Sequence, residues 1–463
     1  MVEKSFGTYM NELDQVLKAY IPPRDKWTPI ERSLYGVIDP YSLSRNEAEE
    51  IRLRALQYSF NYHYAKNDFY KKFCQEKGIQ PGDIKSFSDL KQIPLILDRF
   101  FKDYPMDQDF ALWIRKILTV KISADIFKKI RSSFDEIIEN FKKLSIEILY
   151  SSGTTGRFTF MPRDLLTFRA GAYAFTKGVV GMGYPLWDYY NLNVCFLGPH
   201  PRKTNLYVGK AGYALFDVVK NATVMIDREI NTRTIRLASG RTKGLRERIL
   251  SFFVGSVSKR MNRNMVSKTI KWMEEHEKSR GKCVFIGTPF VLDRVLSKLE
   301  EMRKGFNFGK HGFVITAGGW KIFENRRVPD REFRKRTEKV LGIPEENCLD
   351  IYAMVECTAA MIQCPQGHYF HIPYTHLYPL VLNEHYEPVG FGKEGRFAFL
   401  DPLARSYPGF IITGDKVKML ERCPVCDRPG PVLEPNISRI SGEGDRGCNE
   451  EMRMMLSRDL GEI

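Results

Sequence analysis

The sequence predicts an α/β protein in which crossover helices connect the strands of a parallel sheet. Between residues 165 and 345, short β-type runs alternate with longer segments of helical periodicity, a pattern typical of parallel sheets. Two of these runs end in small-residue turns, Ile286-Gly-Thr-Pro and Ile315-Thr-Ala-Gly-Gly-Trp. Because ligands of such folds bind beyond the carboxyl ends of the strands, the turns predict one edge of a binding site.

The elements follow from apolar spacing and from glycine and proline breaks. Helices are predicted within residues 1–22, 44–78 and 106–145. In the second half the predicted helices are 165–180, 265–280, 288–304 and 328–341, and the predicted strands are 190–197, 222–226, 283–286 and 312–316. We therefore divide the chain into a helical N-terminal region at 1–105, an α/β core at 106–440 with a basic insert at about 230–270, and a short tail at 441–463.

Length and composition favour an intracellular globular protein. The 463 residues, 43% of them apolar, can bury a large core. No run of 18 uncharged apolar residues predicts a membrane span, and the first residues lack the apolar region of a secretory signal. In such a chain the nine cysteines indicate thiols or metal ligands rather than disulfides. We expect a cytoplasmic location.

Positive charge is concentrated in one segment. The formal net charge is +15, and residues 233–268 contain ten Lys or Arg against one acid. This segment favours acidic partners: an acidic carrier protein, or an anionic membrane surface on which the protein would be peripheral. A solvated amphipathic surface helix is the alternative. No zinc finger, RRM signature or basic zipper accompanies the charge, so nucleic acid is not favoured.

A run of six small residues predicts an anion-binding loop after a short β-type run. Glycines let the backbone approach a ligand closely, and free amides next to hydroxyls suit a polyphosphate. A serine- and threonine-rich surface loop is the alternative, and the run is not a Walker A motif. The six residues are Ser151, Ser152, Gly153, Thr154, Thr155 and Gly156.

The run Tyr150-Ser-Ser-Gly-Thr-Thr-Gly156 resembles the phosphate loop of the adenylate-forming enzymes, which couple a carboxylate to AMP. The following Met161-Pro-Arg-Asp164 resembles one branch of them, the acyl-protein synthetases of the LuxE type and their phenylacetate-CoA-ligase relatives. Further motifs of the family follow in its order: Gly318-Gly319, Asp350-Ile-Tyr-Ala-Met-Val-Glu356, Thr413-Gly-Asp415 and Ser438-Arg439.

The resemblance implies a role for each matching residue. Gly318 and Gly319 would place backbone against adenine, and Tyr352 would stack on it. Glu356 would hold Mg²⁺ on the ATP phosphates, as a hard oxygen donor suits a hard cation.

In the same family, the counterpart of Asp415 accepts hydrogen bonds from the ribose hydroxyls, and the counterpart of Arg439 contacts ribose or phosphate. This chain departs from the family pattern at three positions of these motifs. Ala353 and Ser438 stand where glycine is usual, and Val355 stands where threonine is usual, which removes a hydroxyl usually aimed at the phosphate.

Two cysteine motifs have spacings typical of structural zinc. Cys423-Pro-Val-Cys426 forms one pair, and a second segment supplies a thiol and two imidazoles. Together they predict a Cys₃His site drawn from Cys364, His368, His371, Cys423 and Cys426. Two turns with unligated thiols are the alternative.

Arg446-Gly-Cys448 resembles the Arg-Gly-Cys of acyl-protein synthetases, whose cysteine accepts the acyl group. A thiolate is a strong nucleophile near neutral pH, and Arg446 would lower the pKa of the thiol. An inert tail cysteine is the alternative. The chain ends shortly afterwards, so the expected fold is the large N-terminal domain of adenylate-forming enzymes, with layered αβ subdomains but without their full mobile C-terminal domain.

The function implied is ATP- and Mg²⁺-dependent activation of a fatty or other apolar carboxylate as acyl-adenylate, with Glu356, Arg439 and Cys448 as catalytic residues. The acyl group would pass to a thiol, that of Cys448 first, and then to an acyl-accepting protein or reductase. A CoA ligase of the phenylacetate type is one alternative. A catalytically silent acyl- or nucleotide-binding protein is another, favoured by Val355 and Ser438.

Overall fold

A 13-stranded sheet forms the centre of the molecule. The computed structural model describes residues 4–105, 108–122, 133–152, 157–185, 192–238, 263–278, 282–320 and 326–440. The predicted α/β class is confirmed: parallel strands alternate with helices through the middle of the chain.

The strands of the large sheet are β1 Ile96–Leu97, β4 Leu192–Pro199, β5 Asn221–Ile226, β6 Lys282–Gly287, β7 Phe313–Ala317, β8 Cys348–Tyr352, β9 Met361–Gln363, β10 Phe370–His371, β11 Tyr378–Leu382, β12 Glu394–Leu400, β13 Phe410–Leu420, β14 Val432–Leu433 and β15 Ser438–Arg439. A separate hairpin pairs β2 Ile146–Tyr150 with β3 Phe160–Asp164.

The helices are α1 Phe6–Val16, α2 Pro29–Tyr35, α3 Arg45–Lys66, α4 Asp68–Glu76, α5 Gln108–Ile117, α6 Phe134–Lys143, α7 Leu165–Met182, α8 Tyr207–Lys210, α9 Leu215–Val218, α10 Thr232–Ala238, α11 263–277, α12 Pro289–Glu301 and α13 Asp330–Leu341. Their ends follow local sequence rules. Ser44 and Glu47 form a capping box at the start of α3, and Pro289 occupies the first turn of α12. Helix α13 ends at Gly342, whose φ of +65° favours glycine.

One half of the sheet is parallel, in the order β5-β4-β6-β7-β8. The inner strands β6 and β7 are nearly continuous apolar runs because helices cover both of their faces, and Val284 and Phe285 of β6 are each 1% exposed. Burying such a side chain contributes about 1.5–3 kcal/mol, so this half is a stable platform for the loops at its carboxyl edge.

The other half is largely antiparallel and contains the long strand β13. It pairs with β12 on one side and with β14 on the other, and β14 in turn pairs with β10. Strand β1 pairs with β13 in parallel, Ile96 opposite Ile411. A segment from the first 105 residues therefore lies directly against the strand that contains Asp415.

Within the described ranges, no helix has both the length and the uninterrupted apolar character that spanning a bilayer requires.

Candidate active site

Three predicted site residues meet where the two halves of the sheet adjoin. Tyr352, the last residue of β8, donates its hydroxyl hydrogen to Asp415 Oδ2 at 2.6 Å. Arg439 Nε lies 2.9 Å from Asp415 Oδ1, and the strands place these residues opposite each other in register. Residues far apart in sequence thus form one polar group.

Burial governs the charge of Asp415. The residue is 8% exposed, and loss of water around the carboxyl raises its pKa above the ordinary value. The Arg439 guanidinium and the Tyr352 hydroxyl oppose that shift, since both stabilise the carboxylate. The two partners therefore help keep Asp415 available as a hydrogen-bond acceptor.

Glu356 lies in the loop after β8 and is 7% exposed. Burial raises the pKa of its carboxyl, and Lys102 is the nearby cation that most lowers it. The main chain of this loop is held by Arg163, whose Nη2 donates to the carbonyl oxygens of Val355 at 3.0 Å and Cys357 at 2.9 Å. Arg163 belongs to β3, so the hairpin that begins and ends the small-residue loop also fixes the loop of Glu356.

Two residues that the sequence analysis did not single out complete the charged group. Lys102 Nζ lies 2.6 Å from Asp98 Oδ2, and the same carboxylate oxygen lies 3.9 Å from Arg439 Nη1. Both residues belong to the 3₁₀ turn that follows β1. In the sequence, the four-residue spacing of Asp98 and Lys102 is only a weak indication that they form an ion pair. Their position at the candidate site follows from the pairing of β1 with β13.

The predicted glycine turn leaves the sheet beside Tyr352. Ala317 of β7 pairs with Ile351 of β8, so Gly318, directly after β7, lies beside Tyr352, the last residue of β8. Gly318 and Gly319 have φ values of +85° and +62°, which a side chain would strain.

The small-residue loop begins in the described structure and continues outside it. Ser151 Oγ accepts a hydrogen bond from the Thr159 amide at 3.0 Å, and the Ser151 amide donates to the Thr159 carbonyl oxygen. Ser152 is also described, whereas Gly153, Thr154, Thr155 and Gly156 lie outside the described residues. The loop thus starts from a fixed hairpin end.

At two of the departures from the family pattern, Val355 is 2% exposed and Ser438 is exposed on β15. Two basic residues that are close to the motifs in sequence pair with carboxylates. Arg157 lies 3.5 Å from Asp103, and Lys416 lies 2.5 Å from Glu394 on the face opposite Asp415.

The cysteine motifs also come together. The ligand atoms of Cys364, His371, Cys423 and Cys426 all lie within 4.8 Å of one another. His368 is not among them: it lies in the turn before β10 with a φ of +56°, and its buried Nδ1 has no hydrogen-bond partner among the described residues. Of the two candidate imidazoles, the fold brings only His371 to the thiols.

Cys448 lies outside the described residues, as does most of the basic segment. Of that segment, residues 233–238 belong to α10 and residues 263–268 to α11.

Comparisons with known proteins agree with the fold and the motifs. The family model described as acyl-protein synthetase, LuxE, matches residues 249–457. Two long-chain-fatty-acid–luciferin-component ligases are similar in sequence. That of Vibrio harveyi is 23% identical over 414 residues, covering 88% of this chain and 89% of the relative. That of Aliivibrio fischeri is 21% identical over 425 residues, covering 91% and 93%.

Among solved structures, 2-hydroxyisobutyryl-CoA ligase in complex with 2-HIB-AMP and CoA, in an open conformation, superposes with a TM-score of 0.59 at 17% identity. The match covers 91% of this chain and 74% of that ligase. The same ligase in its postadenylation state gives a TM-score of 0.60 at 16% identity, covering 91% and 73%. The chain is therefore similar in sequence to the LuxE acyl-protein synthetases, and it has the fold of 2-hydroxyisobutyryl-CoA ligase.

Proposed function

We propose that this protein is a ligase that activates a fatty or other apolar carboxylate as an acyl-adenylate and passes the acyl group to a thiol. The observation that carries the proposal is the joint polar group of Tyr352, Asp415 and Arg439, which lies beside Glu356 and Lys102. By the motif resemblance, Tyr352, Glu356, Asp415 and Arg439 correspond to nucleotide-contacting positions of the family. The two relatives similar along most of the chain are named as long-chain fatty acid ligases, which supports a long-chain acid as substrate.

In the proposed first step, a carboxylate oxygen of the acid attacks the α-phosphorus of ATP, and pyrophosphate leaves. Tyr352 would offer its ring to adenine, and Asp415 would accept hydrogen bonds from the ribose. Arg439 and Lys102 are cations at this wall, and opposite charge favours the polyphosphate. These residues would bind and orient the nucleotide, which holds its α-phosphorus in position for attack by the carboxylate oxygen.

The buried carboxylate of Glu356 is suited to binding Mg²⁺. A carboxylate that is 7% exposed and whose pKa burial raises gains from a nearby cation, and oxygen is the ligand atom that Mg²⁺ prefers. When bound, the ion would supply charge neutralisation on the phosphates. Arg163 would hold the Glu356 loop in place through the two carbonyl oxygens.

In the proposed second step, a thiolate attacks the acyl carbonyl carbon, the new C–S bond forms, and the bond to AMP breaks. Cys448, within the segment that the LuxE model matches, is the proposed first acceptor. An acyl-accepting protein or reductase would then take the acyl group from it. The basic segment 233–268 is the proposed docking surface for an acidic partner or an anionic membrane.

Carboxylate-dependent exchange of labelled pyrophosphate into ATP tests the first step, over acids of increasing chain length. Exchange that rises with chain length supports the proposal, and no exchange with any acid would refute it in favour of a silent binding protein.

Labelled acid supplied without CoA tests the second step. Label should stay on the wild-type protein and be lost in Cys448→Ser. The matched control is Cys74→Ala, because burial raises the pKa of the Cys74 thiol to about 12 and it should be unreactive. A labelled acyl group that leaves the acyl-adenylate only when CoA is present would instead identify a CoA ligase.

A further inference from the structure

The two halves of the large sheet meet at a narrow seam. Strand β14 has two residues, Val432 and Leu433. On one side they pair with Leu420 and Met419 of β13, and on the other with His371 and Phe370 of β10. In the order of the described strands, β14, β10 and β9 together connect β13 to the parallel half, which begins at β8. Strands of two or three residues supply few hydrogen bonds, so a further link at this seam would stabilise the sheet.

The Cys/His cluster lies at this seam. Cys364 directly follows β9, and His371 is the last residue of β10. Cys423 and Cys426 lie in the connection from β13 to β14. The four side chains thus come from both sides of the junction, and a metal ion bound by all four would connect the two sides.

The distances fit a tetrahedral metal ion. Cys364 Sγ and Cys423 Sγ are 4.0 Å apart, and Cys426 Sγ is 3.3 Å from His371 Nε2. Zinc–sulfur bonds of about 2.3 Å in a tetrahedron give sulfur–sulfur distances of about 3.8 Å. A disulfide would need about 2.05 Å, which excludes one between these two thiols as they stand.

The surrounding backbone is arranged as in a metal knuckle. The Cys426 amide donates to Cys423 Sγ at 3.5 Å, which suits a sulfur atom that carries negative charge. The opposing turn packs closely on the knuckle, since a Cβ at Gly367 would lie 2.9 Å from Val425 Cβ. Cys364, His371 and Cys423 are 0%, 1% and 4% exposed, so three of the four donors are shielded from water.

We propose that Cys364, His371, Cys423 and Cys426 bind a structural Zn²⁺ that fastens the seam between the two halves of the sheet. Four protein ligands fill the tetrahedral shell and leave no open position, which is the arrangement of a structural rather than a catalytic ion. This zinc site is independent of the proposed reaction, because it lies at the junction of the strands and includes none of the residues that would bind the nucleotide.

Metal analysis of the full chain, expressed in zinc-supplemented medium and purified without chelator, tests the site directly. We expect one zinc per chain, and an X-ray absorption spectrum that fits three sulfur atoms at about 2.3 Å and one nitrogen at about 2.0 Å. Folded wild-type protein without zinc, or zinc bound by oxygen and nitrogen only, would overturn the proposal.

Variants separate the ligands from their neighbours. His371→Gln and Cys426→Ser should lower the zinc content, whereas His368→Gln and the buried-cysteine control Cys348→Ala should keep one zinc per chain. Loss of zinc in His368→Gln with retention in His371→Gln would show that the ligand set is wrong. These measurements need no enzymatic activity, so they remain decisive if the proposed reaction fails.

Hydrogen exchange tests the fastening of the seam. Removal of the metal by a chelator should lower the unfolding temperature and raise amide exchange jointly in peptides covering 361–371 and 410–433, with little change in peptides covering β4 and β6. Equal exchange in metal-loaded and metal-free protein across both peptides would refute the structural role.

Discussion

The link between β3 and the Glu356 loop can be tested by Arg163→Met. The side chain is 3% exposed, and one nitrogen donates to two main-chain carbonyl oxygens at 3.0 and 2.9 Å. Methionine occupies similar space but donates nothing. It leaves both oxygens buried without this donor, and it removes a cation that stabilises the buried Asp401 carboxylate.

The magnitude follows from these contacts. A hydrogen bond from a charged group contributes about 1.5–3 kcal/mol, and a buried acceptor that loses its donor costs about 1–3 kcal/mol. We take about 3–5 kcal/mol for the whole substitution, because two such bonds are lost but they share one nitrogen and are not fully additive. At about 2 °C per kcal/mol for a large domain, the unfolding temperature should fall by roughly 6–10 °C.

Thermal unfolding by circular dichroism measures the loss of stability, and pyrophosphate exchange well below the unfolding temperature measures the effect on the site. We expect at least about a tenfold lower exchange rate, or about 1.4 kcal/mol, as the Glu356 loop loses its anchor. Arg169→Met is the control, because Arg169 is exposed on α7 and its removal should change stability by about 0.5 kcal/mol or less. An unfolding temperature within about a degree of wild type would refute the anchoring role.

Three further predictions concern single groups. Tyr352→Phe keeps the ring but removes the donor to Asp415, so the KM for ATP in pyrophosphate exchange should rise roughly 10- to 100-fold; an unchanged KM would count against the shared polar group. Lys102→Met removes the cation that lowers the pKa of Glu356, so the acid limb of the exchange pH profile should move to higher pH, while Lys416→Met, on the opposite face, should leave it in place; equal shifts would contradict this. Burial raises the pKa of Asp350 to about 7, so the folded chain keeps a proton that the unfolded chain releases at lower pH, and thermal stability should fall as pH rises from about 4 to 7; Asp350→Asn should flatten that fall, and a parallel decline in the variant would disprove it.

Much of the fold was accessible from sequence because its signals are local. The apolar run at 283–286 and the helical spacing at 288–304 each encode one element, and the structure has β6 and α12 there. Parallel order then follows from the alternation of such elements. The seam at β14 was not predicted, since a strand of two residues has no periodicity to detect.

The residues of the candidate site also differ in whether the sequence could predict them. Asp415 and Tyr352 belong to motifs with recognisable neighbours, and the structure joins them by a hydrogen bond. Asp98 and Lys102 have no motif; they matter because β1 pairs with a strand more than 300 residues later, which local patterns do not encode. The sequence also could not predict that His371 rather than His368 reaches the thiols, because this depends on which residue ends β10 and which occupies the preceding turn.

The contacts of Asp415 have a consequence for how a sugar would be recognised. An ionised carboxylate has about four lone-pair sites, two on each oxygen. Among the described residues, Tyr352 uses one site on Oδ2 and Arg439 uses one on Oδ1, so each oxygen retains one acceptor position. Two neighbouring hydroxyl groups, such as those of a ribose ring, would fill these positions without displacing either protein partner. A 2′-deoxy nucleotide would leave one of them empty.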